Sequence, residues 1–282
     1  MKKAVKRFMP GEELTDALRA AGTLHDNGFP TILTKLGENI DQQSEAEAVA
    51  QHYIEVLDQV HSRSLDSFIS VKLTQLGLDI DRELCYKLVR HLASRAKQQG
   101  NSVWIDMEQS RYVDHTIGLY ERARTEFDNI GICLQSYLYR TEADLKRLLS
   151  INARIRLVKG AYKEPADIAF PKKADVDAMF LTLAQQLLEH TRSTNILHGI
   201  GTHDVRLIRK LIGIAQRKGM QPHEYEFQML YGIRTSDQER LRKEGFRVRV
   251  LISYGSYWYP WYMRRLAERP ANVWFVLKNM FA

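Results

Sequence analysis

The alternation of strand-like and helix-like segments constrains this 282-residue chain more than any other feature. Short runs rich in Val, Ile and Leu recur along the chain. Between most of them apolar residues repeat every three or four positions, as they do on one face of a helix. The runs predicted as strands are residues 31–35, 68–73, 103–107, 131–138, 154–159, 195–201, 225–230 and 247–253. Eight strands alternating with helices over about 250 residues predict an α/β fold, a (β/α)8 TIM-like barrel.

A doubly wound open sheet is the alternative arrangement of such segments. It usually has fewer strands and carries a glycine-rich turn after its first strand, whereas this chain contains no G-x-G-x-x-G sequence. Before the first predicted strand there is one helical pattern, from Gly11 to Asn27. We therefore expect a single domain over residues 1–282, with a short helical preface at 1–30 and the barrel at about 31–270.

Composition and charge narrow the functional classes. No apolar run approaches the roughly 20 residues of a membrane-spanning helix, and the basic start of the chain lacks the apolar core of a secretory signal. Cys85 and Cys133 are predicted to be buried free thiols, as is usual in a reducing cytoplasm. The net charge of +7 permits contact with nucleic acid or an anionic membrane, but the Lys and Arg residues form no long basic block. A nucleic-acid-binding protein without enzyme activity is thus the weaker hypothesis.

Polar residues lie in or just beyond the carboxyl-terminal part of several predicted strands, at the end where barrels of this class build their chemistry. They include Lys72, Asp106, Gln135, Arg156, Thr202 and His203. An arginine facing the inside of a sheet needs an anionic partner, because a buried unpaired charge is costly. Taken singly, Lys72 is also typical of a surface lysine and Asp106 of a helix N-cap. Their convergence on one end of successive strands predicts an active site.

Carboxylates and histidines in the same region raise the question of a metal. Their spacing matches neither H-E-x-x-H nor C-x-x-C, and they are mixed with Lys and Arg, so we predict no metal site. An aldolase or hydrolase that uses a metal, or a Schiff base at Lys72 or Lys159, stays open as an alternative.

The chain resembles the proline dehydrogenase family, flavoenzymes found as small bacterial proteins and as a domain of bifunctional proline-utilisation proteins. The matching segments, in chain order, are SVKLT (70–74), IDME (105–108), LQSYLYR (134–140), RLVKGAY (156–162), THD (202–204), YEFQMLYG (225–232) and RRLAE (264–268). The resemblance implies a distorted barrel that holds FAD at the carboxyl ends of its strands, with the last helix lying over the barrel mouth.

The resemblance also implies roles for individual residues. Asp106, near the substrate amine, and Arg156, beside the flavin ring, would be catalytic. The substrate would be bound by Lys72, Tyr162, Leu230, Leu251, Trp261, Arg264 and Arg265. The cofactor would be bound by Met107, Gln135, Arg156, Lys159, Gly160, Ala161, Thr202, His203 and Glu268.

The implied reaction is the first step of proline catabolism. L-proline would lose a hydride to FAD, giving Δ1-pyrroline-5-carboxylate, and the electrons would pass to a quinone. We accordingly expect a cytoplasmic protein with peripheral contact to the inner face of the cell membrane, functional coupling with pyrroline-5-carboxylate dehydrogenase, and no nucleic-acid partner.

The chain departs from the family pattern around the substrate. Leu251 and Trp261 stand where the family commonly has tyrosines, and Ser253 stands where it has proline. These changes alter the shape of the predicted pocket. We therefore expect a relaxed preference among cyclic imino acids, with hydroxyproline or another such compound as the alternative preferred substrate.

Overall fold

Eight parallel strands close into a barrel in the computed structural model, which describes Val5, residues 7–259 and Met263. The strands neighbour one another in chain order, and β8 pairs with β1 to complete the ring. Their bounds are Thr31–Lys35 (β1), Ser67–Val71 (β2), Val103–Ile105 (β3), Ile130–Gln135 (β4), Arg154–Val158 (β5), Gly199–Gly201 (β6), Glu226–Leu230 (β7) and Arg247–Tyr254 (β8). The predicted (β/α)8 barrel is confirmed.

Helices connect the strands on the outside of the barrel, as parallel strands require. Helix α1, Leu14–Asp26, precedes β1. Within the described residues the connecting helices are Gln43–Ser62 (α2), Arg82–Gln98 (α3), Val113–Arg124 (α4), Thr141–Leu149 (α5), Lys173–Thr194 (α6), Val205–Arg217 (α7) and Thr235–Lys243 (α8). Helix α1 lies within the predicted N-terminal preface. The predicted helix over the barrel mouth lies outside the described residues.

Several strands are shorter than the sequence predicts, mainly at the end that carries the polar residues. Strand β2 ends at Val71, and a 3₁₀ turn, Leu73–Leu76, follows it. Strand β5 ends at Val158, one residue before the predicted end, so Gly160 lies outside the strand. Strand β6 begins only at Gly199, because Asn195 adopts a left-handed conformation that ends α6. The apolar residues beyond these strands pack in turns instead of in the ladder.

The amino end of the barrel holds a buried ion pair that the sequence analysis did not identify. Arg249 Nε lies 3.1 and 3.0 Å from the carboxylate oxygens of Glu226, and both residues are almost fully buried. The Arg249 guanidinium also donates to the Thr31 carbonyl (3.2 Å) and to Asp66 (2.9 Å). It therefore links β7, β8 and β1, the three strands at the closure of the barrel.

Two further sequence predictions concern the thiols and membrane spans. Cys85 in α3 and Cys133 in β4 are buried and unpaired, as predicted. Burial raises the pKa of the Cys133 thiol to about 11. Across the part of the chain that the structure describes, no helix is both long enough and apolar enough to cross a membrane.

Candidate active site

Arg156, Asp106, Ser70 and Lys72 form a charged cluster at the carboxyl end of the barrel. Arg156 donates from one terminal nitrogen to Asp106 Oδ1 (2.8 Å) and from the other to Ser70 Oγ (3.0 Å). Ser70 Oγ also lies 2.7 Å from Asp106 Oδ1. Lys72 Nζ lies 4.0 Å from the second carboxylate oxygen, Oδ2. The anionic partner that a buried arginine requires is thus Asp106, and the Arg156 side chain is only 4% exposed.

Small residues flank Arg156 on the two neighbouring strands, and an aromatic ring lies near its guanidinium. In register, Arg156 lies beside Gly199 of β6 and Cys133 of β4, one without a side chain and one with a small one. The guanidinium lies 5.1 Å from the centroid of the Trp104 ring, a distance at which a cation is attracted by an aromatic face. Gly131 admits that ring, since a Cβ at position 131 would lie 2.5 Å from it.

Buried polar atoms without protein partners lie at the end of β4 and in the neighbouring strand β5. Gln135 Nε2 donates to the Met107 carbonyl (3.3 Å), which links two predicted cofactor residues. Among the described residues, Gln135 Oε1, Ser136 Oγ and Arg156 Nε are buried without a hydrogen-bond partner. Buried polar atoms are nearly always satisfied, so such a group at one end of a barrel indicates a ligand or water.

Gly160, just beyond β5, has a backbone that favours glycine, with φ of +118°. The Tyr137 ring occupies the space that a side chain at this position would need, since a Cβ at position 160 would lie 2.3 Å from it. Burial raises the pKa of Tyr137, which therefore stays a neutral phenol. Ala161, the next predicted cofactor residue, is exposed.

Lys159 lies at the rim, in a network with helices α6 and α7. Its ammonium group is 2.5 Å from Asp177 and 3.5 Å from Asp204, and Lys173 contacts both carboxylates. Burial raises the pKa of Asp177, but hydrogen bonds from Lys159 and Lys173 offset it, so the pKa lies below its usual value. Burial also raises the pKa of Asp204, but the charges of Lys159, Lys173 and Arg206 and the hydrogen bond from the Arg206 amide together lower it below its usual value.

The predicted cofactor residues after β6, Thr202 and His203, lie in the short segment before α7. Thr202 Oγ1 accepts a hydrogen bond from the Asp204 amide (3.1 Å), and Asp204 caps the helix by accepting from the Arg206 amide (3.1 Å). His203 Nε2 accepts from the Leu230 amide (2.8 Å), which requires that atom to be unprotonated. His203 thereby joins the ends of β6 and β7.

Leu230 and Leu251, two predicted walls of the substrate pocket, are neighbours in the β7–β8 register. Both are half-buried, whereas Ser253 farther along β8 is buried. Tyr162, half-buried, belongs to the segment that follows β5. The predicted site residues Trp261, Arg264, Arg265 and Glu268 lie outside the described residues.

Two buried residues near the cluster had no predicted role. Glu108 accepts from the Thr74 amide (3.1 Å) and the Thr74 hydroxyl (2.6 Å), which joins the segments after β2 and β3. Burial raises the pKa of Glu108, and the bonds from Thr74 only partly oppose this shift. Ser70 was also missed as a site residue, although it lies in β2 only two residues before Lys72, at the same end of the barrel. Over the described part of the chain, no three or more His, Cys, Asp or Glu side chains form a group that could hold a metal ion.

Comparison with known proteins gives one consistent family. The family model for proline dehydrogenase matches residues 17–278. The chain is 38% identical over 276 residues to "Proline dehydrogenase 1" of Bacillus subtilis subsp. natto, covering 98% of this chain and 90% of that protein. It is 37% identical over 280 residues to "Proline dehydrogenase" of Deinococcus radiodurans, covering 98% and 89%.

A solved structure has the same fold. It is the crystal structure of proline utilization A from Bdellovibrio bacteriovorus inactivated by N-propargylglycine, which superposes with a TM-score of 0.86 at 23% sequence identity. The match covers 93% of this chain but only 32% of that larger chain. The barrel described above is therefore similar in fold to about one third of a longer protein.

Proposed function

The chain belongs to the proline dehydrogenase family, and we propose that it oxidises L-proline to Δ1-pyrroline-5-carboxylate, with FAD as the hydride acceptor and a quinone as the next electron acceptor. One observation carries the proposal: a buried Arg156–Asp106 pair, with Lys72 beside it, at the carboxyl end of a closed barrel. A single carboxylate flanked by two cations suits a small zwitterionic substrate with one amine and one carboxylate.

The residues present fit a flavin. The unpartnered Gln135 Oε1 can accept from a ring N–H, and the unpartnered Arg156 Nε can donate to a ring nitrogen or carbonyl. A fixed cation near the ring also favours the anionic reduced state of a flavin. We assign cofactor binding to Met107, Gln135, Arg156, Lys159, Gly160, Ala161, Thr202 and His203, together with Glu268.

Lys159 has a restricted part in this assignment. Its ammonium group already pairs with Asp177 and Asp204, so these carboxylates compensate its positive charge. We therefore assign Lys159 to holding the rim between α6 and α7, where the cofactor would lie, and not to charge compensation of the cofactor.

The chain's own residues would bind and orient the substrate. Lys72, Arg264 and Arg265 would hold the carboxylate, since arginine grips a carboxylate through two parallel hydrogen bonds. Asp106 would accept a hydrogen bond from the ring amine. The amine must be neutral when the hydride leaves, so its proton departs before or with that step. The bound flavin supplies the redox chemistry by taking up the hydride.

The reaction is tested by its product. Incubation of the FAD-loaded protein with L-proline and a soluble quinone should yield a cyclic imine that mass spectrometry finds two hydrogens lighter than proline. Turnover of quinone without the imine would contradict the proposed reaction.

Substrate preference follows from the pocket walls. Leu251 stands where a tyrosine is common in the family, and Trp261 fills more volume than a tyrosine would. We propose a relaxed preference, with hydroxyproline or another cyclic imino acid accepted beside proline. Comparable kcat/KM values for L-proline, hydroxyproline and pipecolate would support this, whereas a strong preference for L-proline would refute it.

A lipid-soluble quinone places the electron acceptor in a membrane, so we propose peripheral contact with the inner membrane face, assisted by the net charge of +7. Neutralising surface lysines should lower activity with a membrane-bound quinone but not with a soluble one. Equal activity with both acceptors would count against the contact.

The imine product also suggests functional coupling with a pyrroline-5-carboxylate dehydrogenase, the class of enzyme that consumes it. When the two enzymes act together, the absence of a lag before the second product appears would support coupling. A full lag would show that the imine diffuses freely.

A further inference from the structure

Ser70 lies at the centre of the charged cluster, on the face of β2 that points into the barrel. It is fully buried, and its hydroxyl oxygen is within hydrogen-bond distance of both Arg156 (3.0 Å) and Asp106 (2.7 Å). Arg156 and Asp106 are also bonded directly to each other. The three side chains therefore form a closed ring of hydrogen bonds across β2, β5 and the segment after β3.

The direction of each bond in the ring is fixed by chemistry. A guanidinium can only donate, so Ser70 Oγ must accept from Arg156. An ionised carboxylate can only accept, so the Ser70 hydroxyl proton must point to Asp106 Oδ1. The hydroxyl thus has a single orientation, in which it both donates one hydrogen bond and accepts another.

The ring determines which carboxylate oxygen of Asp106 is available to a ligand. Oδ1 receives two donors, from Ser70 and from Arg156. Oδ2 has Lys72 at 4.0 Å, beyond a normal hydrogen bond. Rotation of the carboxylate would break both bonds at Oδ1, so Oδ2 stays directed away from Arg156 and Ser70.

We infer that Ser70 is a positioning residue for substrate recognition: it locks Asp106 so that Oδ2 is the oxygen that accepts the hydrogen bond from the substrate amine. The inference rests on the proposed function, because it needs a substrate amine in this site. It adds a requirement to that function, since Asp106 and Arg156 alone share one bond that leaves the carboxylate free to turn.

The structure offers a matched control in the same strand. Ser67, also buried in β2, accepts a hydrogen bond from the Thr31 hydroxyl (2.8 Å) near the other end of the barrel. Ser67→Ala and Ser70→Ala each remove one buried hydroxyl from β2. A merely structural role of Ser70 would make the two variants alike.

The test separates ligands with and without an amine. Anaerobic stopped-flow reduction of the flavin gives an apparent Kd for L-proline. The ligand without an amine is tetrahydrofuran-2-carboxylate, the analogue of proline with a ring oxygen in place of the nitrogen. It does not reduce the flavin, so its Kd is measured from the change in the flavin spectrum on binding. We expect Ser70→Ala to weaken L-proline binding about tenfold, as for the loss of one hydrogen bond to a charged group. The Kd of the analogue should change by less than about twofold, and Ser67→Ala should leave both values unchanged.

A double-mutant cycle then shows whether Ser70 acts through Asp106. In an Asp106→Ala background, Ser70→Ala should have no further effect on L-proline binding. Equal weakening of both ligands, behaviour like that of Ser67→Ala, or an additive effect with Asp106→Ala would each overturn the inference. Wild-type protein whose bound flavin is not reduced by L-proline would overturn the proposed function itself, a result distinct from all three.

Discussion

The carboxylate of Asp106 organises the charge at the carboxyl end of the barrel. It compensates the buried guanidinium of Arg156 and has the ammonium group of Lys72 on its other side. Burying Arg156 without this partner would be costly, because a charge loses its hydration in the interior. With one anion and two cations, the described cluster has an excess positive charge. That excess is what a substrate carboxylate requires.

Replacing Lys72 tests this excess charge. Lys72→Met should raise the KM for L-proline by about ten- to a hundredfold, the loss of one hydrogen bond to a charged group. FAD content should not change, because Lys72 is assigned to the substrate. Lys97→Met is the control, since Lys97 pairs with Asp128 on the exposed surface. Equal KM values in the two variants would show that Lys72 does not bind the carboxylate.

Gly160→Ala tests the contact with Tyr137. The added Cβ would lie 2.3 Å from the ring, and the backbone φ of +118° is strained for alanine. We expect the free energy of unfolding, measured in urea, to be at least about 3 kcal/mol lower than that of the wild type, and FAD binding to be weaker.

Gly100→Ala is the control that separates the Tyr137 contact from the backbone strain. Gly100 has a φ of +64° and open space around it, so its change should cost only about 1 kcal/mol. Similar losses in both variants would exclude a role for the Tyr137 contact.

At the residue scale the sequence predicts chemical types better than partners. Lys72, Asp106 and Arg156 could be selected because charged residues at successive strand ends are unusual. Their pairing could not, since it depends on side chains from β2, β3 and β5 meeting inside the barrel. Ser70 was missed for a related reason. A serine in a strand gives no functional signal in the sequence, and its bonds to Arg156 and Asp106 appear only in the structure.

At the scale of elements, the segment after β5, which carries Tyr162, is hydrogen-bonded to the segment after β3. Glu164 accepts from the Ser110 amide (2.8 Å) and from the Ser110 hydroxyl (2.6 Å). These bonds join a connection of β5 to a 3₁₀ turn, Ser110–Tyr112. They hold a predicted wall of the substrate pocket near the barrel mouth.

Glu164→Ala should release this segment. We expect amide hydrogen exchange over residues 160–168 to become about tenfold faster or more, as for the loss of a charge-assisted bond. Glu142→Ala is the control, because Glu142 contacts Lys146 in an exposed pair within α5. If exchange over residues 160–168 is the same in both variants, the Glu164–Ser110 contact does not hold the segment.

The existence of the elements could be predicted, but several of their ends could not. Apolar periodicity identified all eight strands, yet it continued β2 and β4 into residues that form turns. Beyond these strands, Leu73 is buried in a 3₁₀ turn and Leu138 in an isolated bridge to Ala169. Burial alone does not distinguish such positions from a continuing strand. The candidate site lies at these ends, so its surroundings are the part of the fold that was hardest to predict.

At the scale of the whole molecule, closure of the barrel depends on the contact of the last two strands with the first. Arg249 joins Glu226, Asp66 and the Thr31 carbonyl at that point. The order of the strands could be predicted, because it follows from the alternation of strand and helix patterns in the sequence. The buried Arg249–Glu226 pair could not be predicted, because the sequence alone does not show whether a charged residue in β8 is buried or exposed.

Glu226→Gln should destabilise the closed barrel by about 3 kcal/mol, because Arg249 would lose its buried carboxylate partner and keep only the half-exposed Asp66. Glu244→Gln is the control, since Glu244 pairs with Arg240 on the surface of α8 and its loss should cost less than about 1 kcal/mol. Urea unfolding measures both changes. A loss in Glu226→Gln no larger than in the control would show that the pair does not stabilise closure.

The visible absorption spectrum of the purified protein, before and after anaerobic addition of L-proline, tests the central claim most directly. The residues at the barrel mouth predict the absorption bands of an oxidised flavin, and bleaching of those bands when L-proline is added. Protein that retains its bands in L-proline would keep the flavin site but contradict the proposed substrate. Protein that stays colourless after incubation with FAD would contradict the account as a whole.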